Sequence, residues 1–79
     1  MNTFERLLKV FNAVFEDDVN ADSVTTDASL QEDIGINSIG MLYMVIALEE
    51  EFGIKFKNED LQTIHTVQDV IDCIEAKSV

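Results

Sequence analysis

The stretch that decides the fold runs from Glu32 to Phe52 and reads EDIGINSIGMLYMVIALEEEF. It starts with an acidic pair, continues through a glycine into an apolar run, and ends with three glutamates before the final phenylalanine. Gly35 can adopt the positive φ angle of a sharp turn, and Asn37 and Ser38 are residue types that cap helices by accepting backbone N–H bonds. The stretch therefore predicts a turn and then a helix from about Ser38 to Phe52, with a hydroxyl at its start.

Ser38 is the candidate site residue. A phosphate ester on its hydroxyl would lie at the positive end of the helix dipole, beside N–H groups that have no partner within the helix. Local chemistry alone leaves an alternative open, because most serines at helix starts are caps and nothing more. The residues show no Ser/His/Asp spacing, phosphate-binding glycine loop or Cys/His cluster, so we expect neither an enzyme nor a metal site.

Composition limits the class of protein. The chain has 79 residues, 47% of them apolar, with three glycines and no proline, which favours one helical domain spanning residues 1–79. Five basic residues against sixteen acidic ones give a net charge of −11. Such a surface repels nucleic acid and attracts basic protein patches, although acidity can also serve solubility alone.

The remaining composition features concern location. No apolar run approaches the roughly 20 residues that a membrane helix needs, and the first residues lack the pattern of a signal peptide. We therefore expect no stable membrane insertion, a cytoplasmic location and a monomer. A single cysteine, Cys73, excludes an intramolecular disulfide.

Apolar periodicity predicts three further helices. The first runs from a cap at Thr3 to about Glu16, and the last begins at a capping box formed by Thr66 and Asp69. A short third helix covers residues 59 to about 62 behind a cap at Asn58. The apolar positions of the first helix form one stripe, and those of the last helix form another: Phe4, Leu7, Leu8, Phe11, Val14 and Phe15, then Val67, Val70, Ile71 and Ile74.

The predicted fold is all-α, a four-helix bundle of three longer helices and one short one, with a long loop between the first two. That loop covers residues 17–36, and its apolar residues are the expected anchors: Val19, Val24, Leu30 and Ile34. Arg6 and Lys9 lie off the apolar stripe of the first helix and are predicted to be solvated. Gly53 is placed to end the second helix.

The first half of the second helix is apolar on almost every side, so the helix is either buried on most sides or presents one side to partners, and a domain this small cannot bury it fully. We predict Ile39 and Leu42 toward the core, together with Val45 or Ile46 and with Phe52. The same prediction leaves Met41, Met44 and Tyr43 outward, near Ser38.

Several segments together resemble the acyl carrier protein family in order and spacing, over roughly residues 4–75. They are Ala28–Gly35 (ASLQEDIG), Asn37–Ile39 (NSI), Val45–Phe52 (VIALEEEF) and Thr66–Ile71 (TVQDVI). The resemblance implies that Ser38 carries a 4′-phosphopantetheine arm derived from coenzyme A. The thiol of that arm would hold acyl groups as thioesters in a fatty acid, polyketide or specialised lipid pathway.

The implied partners are a phosphopantetheinyl transferase and then acyl transferases, synthases or ligases with basic docking patches. The family usually has Asp-Ser-Leu where this chain has Asn37, Ser38 and Ile39, and it commonly has acidic residues at the positions of Gly40 and Tyr43. We therefore hypothesise a partner that recognises a more apolar patch around Ser38. The alternative is an unmodified acidic helical binding or regulatory subunit, in which Ser38 is only a helix cap.

Overall fold

The computed structural model describes residues 2–15 and 24–78, and in these ranges the chain forms four α-helices. They are α1 (Thr3–Phe15), α2 (Ser38–Phe52), α3 (Asn58–Thr63) and α4 (Val67–Lys77). These ranges contain no strand, and their one β-bridge pairs Ser29 with Thr66. The predicted all-α bundle with a long loop after its first helix is confirmed. The predicted anchor Val19 and the predicted helix end at Glu16 lie outside the described residues.

The core lies where α1, α2 and α4 meet, because α1 packs against both other helices. The predicted stripe of α4 is confirmed, since all four of its residues are buried. In α1 the buried residues are Leu7, Val10 and Phe11, so Val10 is a core position that the predicted stripe omitted. Phe11 also packs edge to face against Phe15, with ring centroids 5.9 Å apart.

The prediction of which residues of α2 face the core was right for Val45 and wrong for Ile39, Leu42 and Met44. Met44, Val45 and Leu48 are its buried residues, whereas Ile39 and Leu42 are more than half exposed. Both sides of the helix are apolar in its first half, so periodicity could not distinguish them. The packing of α1 against α2 and the shared core decide which side is buried, and it is the side that carries Met44. The outward position of Tyr43 is confirmed.

Helix ends follow the expected chemistry with two corrections. Asn2, not Thr3, caps α1, because its Oδ1 accepts a bond from the Glu5 N–H at 2.8 Å. Asn58 is the first residue of α3 rather than its cap, and the N–H before it, that of Lys57, donates to Asp60 Oδ2 at 2.8 Å. Each correction moves the cap by one residue, which is the usual uncertainty of a helix boundary.

The capping box of α4 is confirmed. The Asp69 N–H donates to Thr66 Oγ1 at 3.1 Å, and the Thr66 N–H donates to Asp69 Oδ2 at 3.1 Å. The His65 N–H also donates to Asp69 Oδ2, at 3.0 Å. These backbone donors, that of His65 first, hold the pKa of the Asp69 carboxyl below its usual range because they stabilise its charged form.

The predicted solvent exposure of Arg6 is corrected, whereas the predicted packing of Cys73 is confirmed. Arg6 is not simply solvated: its Nε lies 3.1 Å from Glu51 Oε2, and its Nη2 donates to the Glu51 carbonyl at 2.7 Å. Cys73 is half-buried, as expected of a small packed hydrophobe, and burial raises the pKa of its thiol.

Within residues 2–15 and 24–78, none of the helices has the length and apolar character needed to cross a bilayer.

Candidate functional site

The position of Ser38 is set by the loop that precedes it. Leu30 is fully buried and Ile36 nearly so, and the Ile36 N–H donates to the Leu30 carbonyl at 2.8 Å. Between them Gly35 has a φ of 86°, a backbone conformation that residues with a side chain rarely adopt. The loop is thereby anchored on both sides of its turn, which places Asn37 and Ser38 at the surface end of α2.

A second set of backbone bonds ties the same loop to the start of α4. The Leu30 N–H donates to the His65 carbonyl at 2.9 Å, and the Val67 N–H donates to the Ala28 carbonyl at 3.1 Å. These bonds surround the bridge between Ser29 and Thr66. The start of α2 is therefore held by the core and by α4 together. His65 takes part through its backbone, and its side chain is exposed.

Asn37 and Ser38 have different tasks at the start of α2. Asn37 has an extended backbone with φ of −86° and ψ of −179°, and its Oδ1 accepts a bond from the Gly40 N–H at 2.7 Å. Ser38 is the first helical residue and is exposed. The cap oxygen therefore comes from Asn37. The capping role that the alternative gives to Ser38 is corrected, because the cap is the neighbouring residue Asn37.

The electrostatics at Ser38 favour an anion. The first N–H groups of a helix lack intrahelical acceptors and carry the positive end of its dipole. The first turn of α2 contains no acidic residue that would oppose a phosphate, and the three glutamates of this helix lie at its other end, at positions 49–51. A phosphodiester on the Ser38 hydroxyl is thus compatible with the residues around it.

Gly40 is part of the site for a steric reason. A Cβ atom built on it would lie 3.0 Å from Ile36 Cγ2 and 3.2 Å from the Phe15 ring. Those separations are tighter than ordinary carbon contacts, so a side chain here would require the Ile36 and Phe15 side chains to shift by a few tenths of an ångström. Gly40 therefore lets the Phe15 side chain of α1 approach the start of α2 closely.

An exposed apolar surface adjoins Ser38. Four large apolar side chains of α2 lie more than half exposed along one side of the helix; we call them the apolar stripe. They are Ile39, Leu42, Tyr43 and Ile46. Of these four side chains, only Tyr43 was predicted to face outward. The signal for the others was the apolar character of the whole helix in a chain too small to bury all of it.

A cavity of about 480 Å³ opens beside the same residues, between the end of α1 and the start of α2. Its lining includes both sequence neighbours of Ser38, Asn37 and Ile39. Among the described residues no group of three metal-ligating side chains comes together.

Comparison with known proteins agrees with this geometry. Residues 5–74 match the family described as "Phosphopantetheine attachment site". The chain is similar to an acyl carrier protein of Thermosynechococcus vestitus, with 39% identity over 79 residues that cover 98% of this chain and 96% of the relative. It is also similar to acyl carrier proteins of Buchnera aphidicola, with 37% identity over 99% of this chain and 95% of the relative, and of Solidesulfovibrio magneticus, with 42% identity over 75% and 76%.

The fold and the site are those of the class of small helical proteins that carry a covalent phosphopantetheine group. The chain belongs to the acyl carrier protein family and contains its phosphopantetheine attachment domain. Members of this family are carriers rather than enzymes, their cofactor is 4′-phosphopantetheine, and they interact with synthases and transferases. The predicted family and cofactor are therefore confirmed.

Proposed function

We propose that Ser38 is the attachment point of 4′-phosphopantetheine and that the chain holds acyl intermediates as thioesters on the thiol of that arm. One observation carries the proposal: the Ser38 residue is exposed at the first position of α2, while Asn37 supplies the cap oxygen. The hydroxyl can therefore be esterified without loss of the cap. Helix N–H groups beside it can bind the phosphate oxygens.

In the attachment reaction this chain contributes only the Ser38 hydroxyl, and the transferase supplies the catalytic groups. The Ser38 Oγ attacks the phosphorus of coenzyme A that bears pantetheine, the phosphoanhydride bond to the nucleotide breaks, and the hydroxyl proton passes to a base of the transferase. The carrier has only to expose the hydroxyl and hold it in a fixed orientation. Its backbone does this through the anchored turn at Gly35 and the cap at Asn37. When attached, the arm supplies the thiol that bonds the acyl group.

The surface around Ser38 supports two modes of docking. The apolar stripe provides contact area that a partner can cover, and the glutamates at positions 49–51 provide negative charge for a basic patch. The proposed partners are a phosphopantetheinyl transferase and then acyl transferases, synthases or ligases. The proposed setting is a cytoplasmic fatty acid, polyketide or specialised lipid pathway, with the carrier acting as a monomer.

Intact-protein mass spectrometry tests the attachment. The protein is expressed in a bacterial host and then incubated with coenzyme A and a broad-specificity phosphopantetheinyl transferase. We expect a gain of one phosphopantetheinyl mass, absent in Ser38→Ala and retained in Ser78→Ala, which removes another exposed serine. Because Asn37 supplies the cap, Ser38→Ala is expected to fold normally.

The contrary outcome is an unchanged mass both after expression in the bacterial host and after incubation with coenzyme A and the transferase. The same assay on Asn37→Asp, which restores the residue usual in the family, then distinguishes two causes. Either the transferase does not accept Asn37, or Ser38 is not an attachment site. A gain in that variant would assign the failure to the transferase contact at Asn37. No gain in either protein would overturn attachment at Ser38.

A further inference from the structure

A groove runs between α1 and α2 and begins beside the two sequence neighbours of Ser38. Its first part is the cavity of about 480 Å³ beside Asn37 and Ile39, a volume within the range of about 300–1,000 Å³ usual for small-molecule sites. Apolar side chains and two glycines form most of its lining, with Asn37 as the polar side chain next to Ser38. The lining residues are Val14, Phe15, Gly35, Ile36, Asn37, Ile39, Gly40 and Tyr43.

The walls of this cavity are unusually exposed for apolar side chains. Ile39 is 63% exposed and Tyr43 is 62% exposed, although both belong to a helix that has a well-packed opposite side. Gly40 forms part of the lining, and a Cβ atom there would meet the Phe15 ring at 3.2 Å. The cavity therefore offers apolar surface that gains from being covered.

The groove continues along α2 away from Ser38. A second cavity, of about 280 Å³, shares Val14 with the first and reaches Ala47, which lies about 13 Å along the helix axis from Ser38 at 1.5 Å per residue. Charged side chains stand at this end. The residues that line the second cavity are Lys9, Val10, Ala13, Val14, Ala47, Glu50 and Glu51.

We propose that this groove is a resting site for the phosphopantetheine arm itself, an inference that rests on attachment at Ser38. Close to the phosphate, after one methylene group, the arm has a carbon that bears two methyl groups. This apolar part of the arm matches the apolar first cavity. The thiol end of the arm, which is farthest from the phosphate, extends toward the second cavity, where Val14 and Ala47 provide apolar lining. Because the arm is tethered at Ser38, one residue from the lining of the first cavity, its effective concentration there is high.

Tyr43 provides a direct readout of this placement. It is the only tyrosine in a chain without tryptophan, so the tyrosine fluorescence of the protein reports on one wall of the groove. The experiment compares quenching by acrylamide before and after attachment of the unacylated arm, with attachment verified by mass. We expect the quenching constant to fall by about half, since bound ligands cover most of the pocket surface that they contact.

A matched pair of variants separates the groove from the rest of α2. Leu42 and Tyr43 are neighbours with 56% and 62% exposure, but Leu42 lines neither cavity of the groove. We expect Leu42→Glu to keep the fall in quenching. In a second readout, attachment should change the amide chemical shifts of Val14 and Phe15, and Tyr43→Glu should reduce those changes by about half or more, whereas Leu42→Glu should not.

Three outcomes would overturn the inference. Unchanged Tyr43 quenching after a verified mass gain would place the arm elsewhere while leaving attachment at Ser38 intact. Shift changes confined to the immediate neighbours of Ser38, or found at the buried Met44 and Leu48, would do the same. A fall in quenching that depends on protein concentration would assign the groove to a second copy of the chain. Absence of the mass gain in both the natural chain and Asn37→Asp would overturn attachment and groove together.

Discussion

At the scale of single residues, the site depends on a division of tasks between neighbours. Asn37 holds the helix start through its bond to the Gly40 N–H at 2.7 Å, and Ser38 offers its hydroxyl to solvent. If the serine were the cap, esterification would compete with the helix for the same oxygen. Separating the two roles lets modification proceed without loss of stability at the start of α2.

This division predicts unequal effects of two alanine substitutions. Asn37→Ala should lower the free energy of unfolding by about 1 kcal/mol, the usual loss for removing a cap side chain. Ser38→Ala should change it by less than about 0.5 kcal/mol, because an exposed first-turn serine has no capping bond to lose. Urea unfolding of the unmodified proteins, followed by circular dichroism, measures both. Equal losses in the two variants would contradict the assignment of the cap to Asn37.

At the scale of the elements, α1 is joined to the end of α2 by one arginine. The Arg6 guanidinium binds the Glu51 side chain and carbonyl, and it lies 4.2 Å from the centroid of the Phe52 ring. The carbonyl is among those at a helix end that lack an intrahelical donor, where a positive charge is also favourable. This contact orients the two helices that form the groove.

Arg6→Met keeps an apolar stem against Phe52 but removes the charge and the donors, so we expect a loss of about 1 kcal/mol in the free energy of unfolding. The pair is partly exposed, with side-chain exposures of 37% and 31%, so the loss should be smaller at high salt. Lys9→Met on the same helix is the control, because Lys9 is exposed. Chemical unfolding at low and high NaCl provides the measurement. Similar losses in the two variants would count against a specific role for Arg6.

At the scale of the whole molecule, the net charge of −11 acts on both stability and association. Charges of one sign on so small a surface repel each other in the folded state, and cations in solution relieve that repulsion. The same charge attracts basic partners over distance, while the apolar stripe acts only on contact. Stability and docking therefore respond differently to ions.

We expect millimolar magnesium or calcium to raise the melting temperature, measured by differential scanning calorimetry. NaCl at matched ionic strength is the control. A rise with magnesium that exceeds the effect of NaCl would indicate ion binding at sites, and an equal rise would indicate screening alone. Because the described residues contain no group of three metal-ligating side chains, any such sites would have few protein ligands. An unchanged melting temperature in both salts would contradict self-repulsion as a significant strain on the fold.

Docking is tested with a general fatty-acid ketosynthase that has a basic patch. We expect Tyr43→Glu to strengthen binding, because it restores a charge common in the family at an exposed position, and we expect the gain to decline as salt rises. Tyr43→Gln is the uncharged control, and surface plasmon resonance measures the affinities. Position 40 is a less direct test, because a Cβ there would lie 3.0 Å from Ile36 Cγ2 and that side chain would have to shift. If Tyr43→Glu binds no better than Tyr43→Gln, the hypothesis of a specialised apolar interface loses its support.

The amino-acid sequence by itself determined the features that depend on local chemistry. The turn at Gly35, the start of α2 at Ser38, its end at Gly53 and the capping box of α4 all follow from residue types at short spacing, and all are observed. The stripe of α4 was also predictable, because its polar side is distinct. Order and spacing of short segments were enough to indicate the family.

Only the tertiary structure decided which side of α2 is buried, which residue of α1 pairs with the end of α2, and where the groove lies. Ile39 and Met44 are both apolar, and no local rule assigns one to solvent and the other to the core. Arg6 finds its partners 45 residues away in the chain, beyond the reach of local pattern. These features depend on how separate helices meet, and that arrangement is a property of the packed molecule rather than of any one segment.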